Sequence, residues 1–109
     1  MSEQDRNERQ YRLMLSQLAR FDQGQITLDV LVVDLEGLLN ALGGISSSWK
    51  QNFLHEWGKL EDERAYALFK NLQVLDQETS ERIRLALSRL KLLVLEKIDD
   101  PADRRRSGV

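Results

Sequence analysis

Apolar residues recur along this chain at intervals of three and four, the period that predicts α-helices. The first such segment spans about residues 5–21 and ends before Gly24, because glycine is favoured just after a helix. Its apolar face is formed by Tyr11, Met14, Leu15, Leu18 and Phe21. Most of the remaining surface carries arginines, so this segment predicts an amphipathic helix with one buried side.

The second segment, residues 27–42, is apolar around most of its circumference, which predicts the most buried helix of the protein. Thr27 is the predicted N-cap, and Asp29 is well placed in the first turn. The β-branched residues between Ile26 and Val33 are compatible with a strand, but the length of the segment and its lack of alternation favour a helix. The pair Gly43–Gly44 is expected to end it.

The third segment opens with a run of serines, in which Ser48 and Gln51 fit a capping box. Gly58 lies inside this segment and indicates either a bend or the close approach of another helix, because glycine destabilises a helix interior by roughly 1 kcal/mol relative to alanine. The predicted apolar stripe consists of Trp49, Phe53, Trp57, Leu60, Ala67, Leu68 and Leu72.

A turn over Asn71–Thr79 separates the third segment from the fourth, with Asp76 as the predicted N-cap. The apolar stripe of the fourth segment consists of Ile83, Leu87, Leu90, Val94 and Ile98. Four helices with short connections predict an all-α fold, a compact antiparallel bundle of about four helices. We expect residues 1–101 to form this single domain and residues 102–109 to form a disordered basic tail.

Composition removes several classes of chemistry. The chain has 109 residues, no cysteine and one histidine, which excludes disulfides, thiolate metal sites and histidine-rich metal centres. We therefore expect no metal and no cofactor. The polar N-terminus lacks the apolar region of a signal peptide, and no uncharged run is long enough to span a bilayer. The simplest expectation is a cytoplasmic protein that does not enter a membrane.

Charge is distributed unevenly along the chain. The net charge of −2 combines +1 over residues 1–20, −6 over residues 21–80 and +3 over residues 81–109. An acidic middle argues against duplex nucleic acid meeting that surface, because phosphates need lysine and arginine opposite them. The same surface suits a basic protein partner.

Catalytic chemistry has little support. His55 and Glu56 match the start of a His-Glu-x-x-His zinc motif, but Lys59 occupies the second histidine position. Glu61 falls inside the apolar stripe of the third segment, where Arg64 could pair with it. This arrangement predicts a partly buried ion pair or, alternatively, a functional carboxylate with a shifted pKa. No set of residues supports catalysis, so we do not expect an enzyme.

Carboxylates are the candidate partner-binding groups. Several share the predicted outer face of the third helix, and the second helix adds more; an ordinary solvated surface is the alternative interpretation. The candidate residues are Asp29, Asp34, Glu36, Glu56, Asp62 and Glu63.

Aromatic and leucine side chains give further candidates. Trp49 and Trp57 are expected in the core, whereas Tyr66 and Phe69 lie off the centre of the stripe and are better placed to contact a partner. In the fourth segment, Leu85 and a second leucine seven residues later lie away from the main stripe. These two leucines indicate either a wider core face or a seam with a partner or a second copy.

One stretch resembles a known class of proteins. An Asp-Leu-Glu helix at residues 34–36 is followed by a Trp-x3-Phe-x3-Trp-x2-Leu-Glu helix at residues 49–61. This arrangement, over residues 33–68, resembles small helical bacterial immunity proteins of contact-dependent growth inhibition and related polymorphic toxin systems. Arg64 departs from the pattern, since an apolar or aromatic residue is expected there.

The resemblance implies an all-helical inhibitor that binds the C-terminal toxin domain of its cognate effector in the cytoplasm. Toxins of this kind are often nucleases with basic clefts, which an acidic inhibitor surface would cover. The resemblance therefore implies that the candidate carboxylates mimic the phosphates of a nucleic acid. The alternative function is that of a helical adaptor or regulatory protein acting through homodimerisation, for which Leu85 and Leu92 are the best candidates.

Overall fold

A computed structural model describes residues 2–70 and 76–98 of the chain. Within these residues there are four α-helices and no strand, which confirms the predicted all-α fold. The helices are α1 (Glu3–Asp22), α2 (Leu28–Asn40), α3 (Ser47–Phe69) and α4 (Gln77–Ile98). The predicted tail at residues 102–109 lies outside the described residues.

Side-chain caps begin the helices where the sequence provides oxygen acceptors. The backbone N–H of Val30 donates to the hydroxyl of Thr27 at 3.2 Å, and that of Thr79 donates to the Asp76 carboxylate at 2.7 Å. Both predicted N-caps are therefore confirmed. The hydrogen bond from Thr79 also lowers the pKa of Asp76, because it stabilises the ionised carboxylate.

The start of α3 differs from the prediction. Ser46, not Ser48, is the N-cap, and its hydroxyl accepts a hydrogen bond from the backbone N–H of Trp49 at 3.2 Å. Three consecutive serines offer the same acceptor group, so the residue type alone does not show which of them caps the helix.

The four helices form a closed ring of neighbours. Each helix packs against the next along the chain, and α4 packs in turn against α1. Short connections make consecutive helices antiparallel, as in an up-down bundle. The core between them is formed by Tyr11, Met14, Leu18, Leu31, Val32, Leu35, Leu39, Trp49, Phe53, Leu60, Ile83, Ala86, Leu90 and Val94.

The predicted stripes of α1 and α4 are confirmed by this core, and α2 buries the largest share of its residues among the four helices. The stripe of α3 ends earlier than predicted, because Leu68 is 72% exposed. Arg64 of α3 contacts Asp29, which lies in the first turn of α2. The residues of α3 that follow Arg64 therefore extend beyond the N-terminal end of α2. Leu72 lies outside the described residues.

Two tryptophans tie α3 to its neighbours. The indole N–H of Trp49 donates to the carbonyl oxygen of Leu93 at 3.0 Å, and that of Trp57 donates to the carbonyl oxygen of Val32 at 2.9 Å. Trp49 is buried and Trp57 is half-buried against the core, which confirms their structural role. Each indole therefore satisfies its polar atom while packing its ring.

Glycine positions explain two features of the connections. Gly24 and Gly44 have φ values of 75° and 66°, a region that glycine adopts without the strain imposed by a Cβ atom. By contrast, no atom of a neighbouring helix within the described residues lies within 4 Å of the Cβ position at Gly58, so none of these helices approaches closely there. Separately, none of the described helices has the length and apolar composition needed to cross a bilayer.

Candidate functional site

The predicted carboxylates of α2 lie on two different flanks of the helix. Asp29 faces α3, where the Arg64 guanidinium lies 3.4 Å from its carboxylate, and Glu36 follows two turns later on the same side. Asp34 instead accepts a hydrogen bond from the Gln17 amide of α1. The structure therefore groups Asp29 with Glu36 and separates Asp34 from both.

Glu56 does not lie on the exposed outer face of α3, as its charge had suggested. It is only 5% exposed, and its spacing from Trp49, Phe53 and Leu60 places it on the core side of the helix. The sequence therefore contained a signal for the burial of Glu56, namely this helical spacing, although its charge favours an exposed position. The expectation of an exposed Glu56 is wrong.

Two cations neutralise the buried Glu56 carboxylate. Lys59 donates to both carboxylate oxygens at 3.0 Å, and Arg89 of α4 donates to one of them at 3.4 Å. Burial alone would raise the pKa of Glu56, but the hydrogen bonds and charges of Lys59 and Arg89 outweigh that effect and lower it. The carboxylate is thus held ionised and already paired.

Glu63, two turns further along α3, has a similar arrangement. Its carboxylate accepts hydrogen bonds from the Arg82 guanidinium of α4 at 2.7 and 3.4 Å. Arg82 also lies 3.1 Å from Glu78, and its pKa is raised, chiefly by the hydrogen bond to Glu63. Glu63 therefore joins α3 to α4 and has less charge available for a partner.

The predicted ion pair of Glu61 and Arg64 is confirmed. Arg64 donates from Nε and Nη2 to the two Glu61 oxygens at 2.9 and 2.6 Å, in a bidentate geometry. The hydrogen bond from Arg64 lowers the pKa of Glu61. A carboxylate held ionised in this way is a poor proton donor near neutral pH, which weakens the alternative of a functional acid.

Glu36 and Asp62 remain as exposed carboxylates. Within residues 2–70 and 76–98, neither of them forms an ion pair or a side-chain hydrogen bond. Asp62 lies on α3 and Glu36 on α2, the helix that packs beside it. Of the six predicted carboxylates, these two have the least compensated charge.

Exposed valines accompany the acidic residues of α2. Val33 is 66% exposed and lies one turn from both Asp29 and Glu36, and Val30 is exposed beside it. We call Asp29, Val30, Val33 and Glu36 the α2 outer face. The sequence did not identify these valines as surface residues, because β-branched residues in a strongly apolar helix are expected in the core.

The remaining apolar candidates are also exposed. Tyr66 and Phe69 lie in solvent at the end of α3, with the Lys70 ammonium 6.0 and 5.5 Å from their ring centroids. Leu85 and Leu92 are 52% and 65% exposed. This exposure excludes a wider core face and leaves the prediction of a partner seam standing.

His55 is exposed on α3. The described part of the chain contains no group of three or more histidine, aspartate or glutamate residues arranged to hold a metal ion. Comparisons with protein-family models, with curated proteins and with solved structures found no match.

Proposed function

We propose that this protein is an immunity protein that binds and neutralises a cognate toxin domain in the cytoplasm, without catalysis of its own. The observation that carries the proposal is the α2 outer face, where exposed Val33 lies between Asp29 and Glu36. The resemblance of residues 33–68 to immunity proteins of polymorphic toxin systems supports the same function.

Exposed valines beside a pair of carboxylates suit a basic target. Carboxylates accelerate association with a positively charged cleft, and the valines bury apolar area that slows dissociation. A nuclease toxin offers such a cleft, since it must bind phosphates. In the proposed complex, the inhibitor occupies that cleft and excludes the nucleic acid.

The proposal assigns toxin contact to three of the six predicted carboxylates: Asp29, Glu36 and Asp62. Glu56 and Glu63 pair with arginines of α4 and have side chains only 6% and 16% exposed, and Asp34 faces α1. Breaking those contacts to reach a partner would cost free energy, because a charge-assisted hydrogen bond would have to be replaced. Asp29 also lies near an arginine, Arg64, but 71% of its side chain remains exposed.

Affinity capture tests this function. The tagged full chain, a Glu36→Lys variant and an Asp22→Lys variant are each used to retain proteins from a lysate of the source cell. Asp22 is a matched control, since it is exposed on α1 and undergoes the same change of charge. The captured polypeptide is identified by mass spectrometry, purified and assayed for toxic enzymatic activity.

We expect the wild-type chain and Asp22→Lys to retain one toxin fragment in near-stoichiometric amount through a high-salt wash. Glu36→Lys should retain it at least about tenfold more weakly, as expected for a charge reversed opposite a basic surface. Adding the wild-type protein should suppress the activity of the purified fragment. Recovery of no toxin, or equal retention by all three proteins, would overturn the proposal.

A second candidate function, homodimerisation as an adaptor or regulator, is favoured by the exposure of Leu85 and Leu92. Sedimentation velocity over a range of concentrations distinguishes it from the first. A dimer that is lost in a Leu92→Asp variant would support the adaptor, whereas a monomer at every concentration would count against it.

A further inference from the structure

The side of α4 that faces away from the core carries a second apolar stripe. Leu85 and Leu92 are 52% and 65% exposed, and Leu95 is half-buried without belonging to the core cluster. Ser88 lies between Leu85 and Leu92 on the same side of the helix. We call Leu85, Ser88, Leu92 and Leu95 the α4 ridge.

The α4 ridge has the spacing of a helix-pairing surface. Its residues follow one another at intervals of three, four and three, the a and d positions of a heptad pattern. The core of the bundle uses a different set of α4 residues, which includes Ile83, Leu90 and Val94. The ridge thus combines three leucines with Ser88 on a side of α4 that the core does not use, and no described helix covers Leu85 or Leu92.

Cations border the α4 ridge at the positions that set partner choice in helix pairs. Arg84 and Lys91 flank one side and are exposed, and neither forms an ion pair with a residue in the described part of the chain. Arg89 flanks the other side, with half of its side chain exposed beside its contact with Glu56. Glu96 also lies on that side, so the border is mainly positive.

From this combination we propose that the α4 ridge docks an acidic amphipathic helix of a partner protein. Leucines of that helix would pack between Leu85 and Leu92, and its flanking glutamates or aspartates would meet Arg84, Lys91 and Arg89. The inference is independent of the proposed toxin contact, which uses the opposite charge on a different helix.

Charge argues against a second copy as the occupant. Parallel pairing of two α4 ridges would bring Arg84 of one copy towards Arg89 of the other, and the attraction between Lys91 and Glu96 in the same arrangement would only offset that repulsion. Antiparallel pairing would gather Arg84 and Lys91 of both copies along the same borders. Like charges at these positions oppose pairing, whereas carboxylates there would stabilise it.

Synthetic peptides provide a direct test with the full chain. The probe is a fluorescein-labelled three-heptad helix with leucine at a and d and glutamate at e and g. Its matched control has lysine at e and g. Fluorescence anisotropy measures binding to the wild type, to Leu85→Asp/Leu92→Asp and to Leu13→Asp, which changes an exposed leucine of α1. Circular dichroism verifies that each variant is folded.

We expect saturable binding of the acidic peptide to the wild type and to Leu13→Asp, at least about tenfold tighter than binding of the lysine peptide. The Leu85→Asp/Leu92→Asp variant should lose it. Arg84→Glu/Lys91→Glu should reverse the preference, so that the lysine peptide binds better. This reversal distinguishes specific docking on the α4 ridge from non-specific binding to an apolar surface.

Three outcomes would overturn the inference: no binding of the acidic peptide, equal binding of both peptides, or no effect of the Arg84→Glu/Lys91→Glu change. Sedimentation that reveals a dimer dependent on Leu92 would assign the ridge to a second copy instead. Because the toxin contact is tested at Glu36 on α2, either proposal can fail while the other stands.

Discussion

Arg89 of α4 donates a hydrogen bond to the buried Glu56 carboxylate of α3 at 3.4 Å. The Glu56 side chain is 6% exposed, whereas that of Arg89 is 51% exposed. The pair therefore buries the anion and leaves the cation partly hydrated, which reduces the desolvation that a fully buried pair would incur. Lys59 contacts the same carboxylate from within α3.

This arrangement predicts a pH-dependent effect of Glu56→Gln. At neutral pH the variant should be less stable by about 1 kcal/mol, because the charge-assisted hydrogen bonds are weakened. The folded-state pKa of Glu56 is lowered, so its stabilising effect is present above the unfolded-state pKa of about 4.3 and is lost as the pH falls through the folded value.

Urea unfolding of the wild type and Glu56→Gln from neutral pH to about pH 3 measures this effect. The difference in the free energy of unfolding should shrink with acidification. Glu8→Gln is the control, since Glu8 pairs with Arg12 on the exposed surface of α1 and should have little effect. A difference for Glu56→Gln that stays constant with pH would contradict the assignment.

Leu90 and Leu92 provide a matched pair on one helix. Leu90 is fully buried, whereas Leu92 is 65% exposed. Leu90→Ala should destabilise the protein by about 2–5 kcal/mol through lost burial and a cavity, and Leu92→Ala should change stability by less than about 0.5 kcal/mol. Chemical denaturation of both variants tests the placement; equal losses would show that Leu92 also packs in the interior.

Asn7 ties the connection between α2 and α3 to α1. Its amide donates to the carbonyl oxygen of Gly43 at 2.7 Å and accepts from the Gly43 N–H at 3.1 Å. Asn7→Ala should lower the free energy of unfolding by about 1–2 kcal/mol, since both partners lose a hydrogen bond. Asn52→Ala, at an exposed position of α3, is the control. An equal loss of stability in Asn7→Ala and Asn52→Ala would contradict a stabilising role of the hydrogen bonds between Asn7 and Gly43.

Two glycines should respond to alanine in opposite directions. Gly44 has a φ of 66°, so Gly44→Ala should destabilise by roughly 1–2 kcal/mol. Gly37 lies inside α2 with no atom within 4 Å of its Cβ position, so Gly37→Ala should stabilise by up to about 1 kcal/mol. Thermal unfolding of both variants measures the signs, and a stabilising Gly44→Ala would be inconsistent with the turn.

Hydrophobic spacing was enough to predict the four helices and most of the core, because burying one face of each helix dominates the fold. The Ser46 cap and the exposure of Leu68 depend instead on how far each helix extends beside its neighbour. The contacts of Arg82 with Glu63 and of Arg64 with Asp29 depend on the same interhelical register. That register is a tertiary property, so sequence spacing could not show which carboxylates pair with an arginine of a neighbouring helix.

The packing of α4 against both α1 and α3 also has a consequence for synthesis on the ribosome. Tyr11, Met14 and Phe53 are made long before Leu90 and Val94, yet all five are buried in the same core. A nascent chain that has released only the first three helices therefore presents an open apolar groove. Closing that groove requires pairing the two helices most distant in sequence, the kind of contact that slows folding.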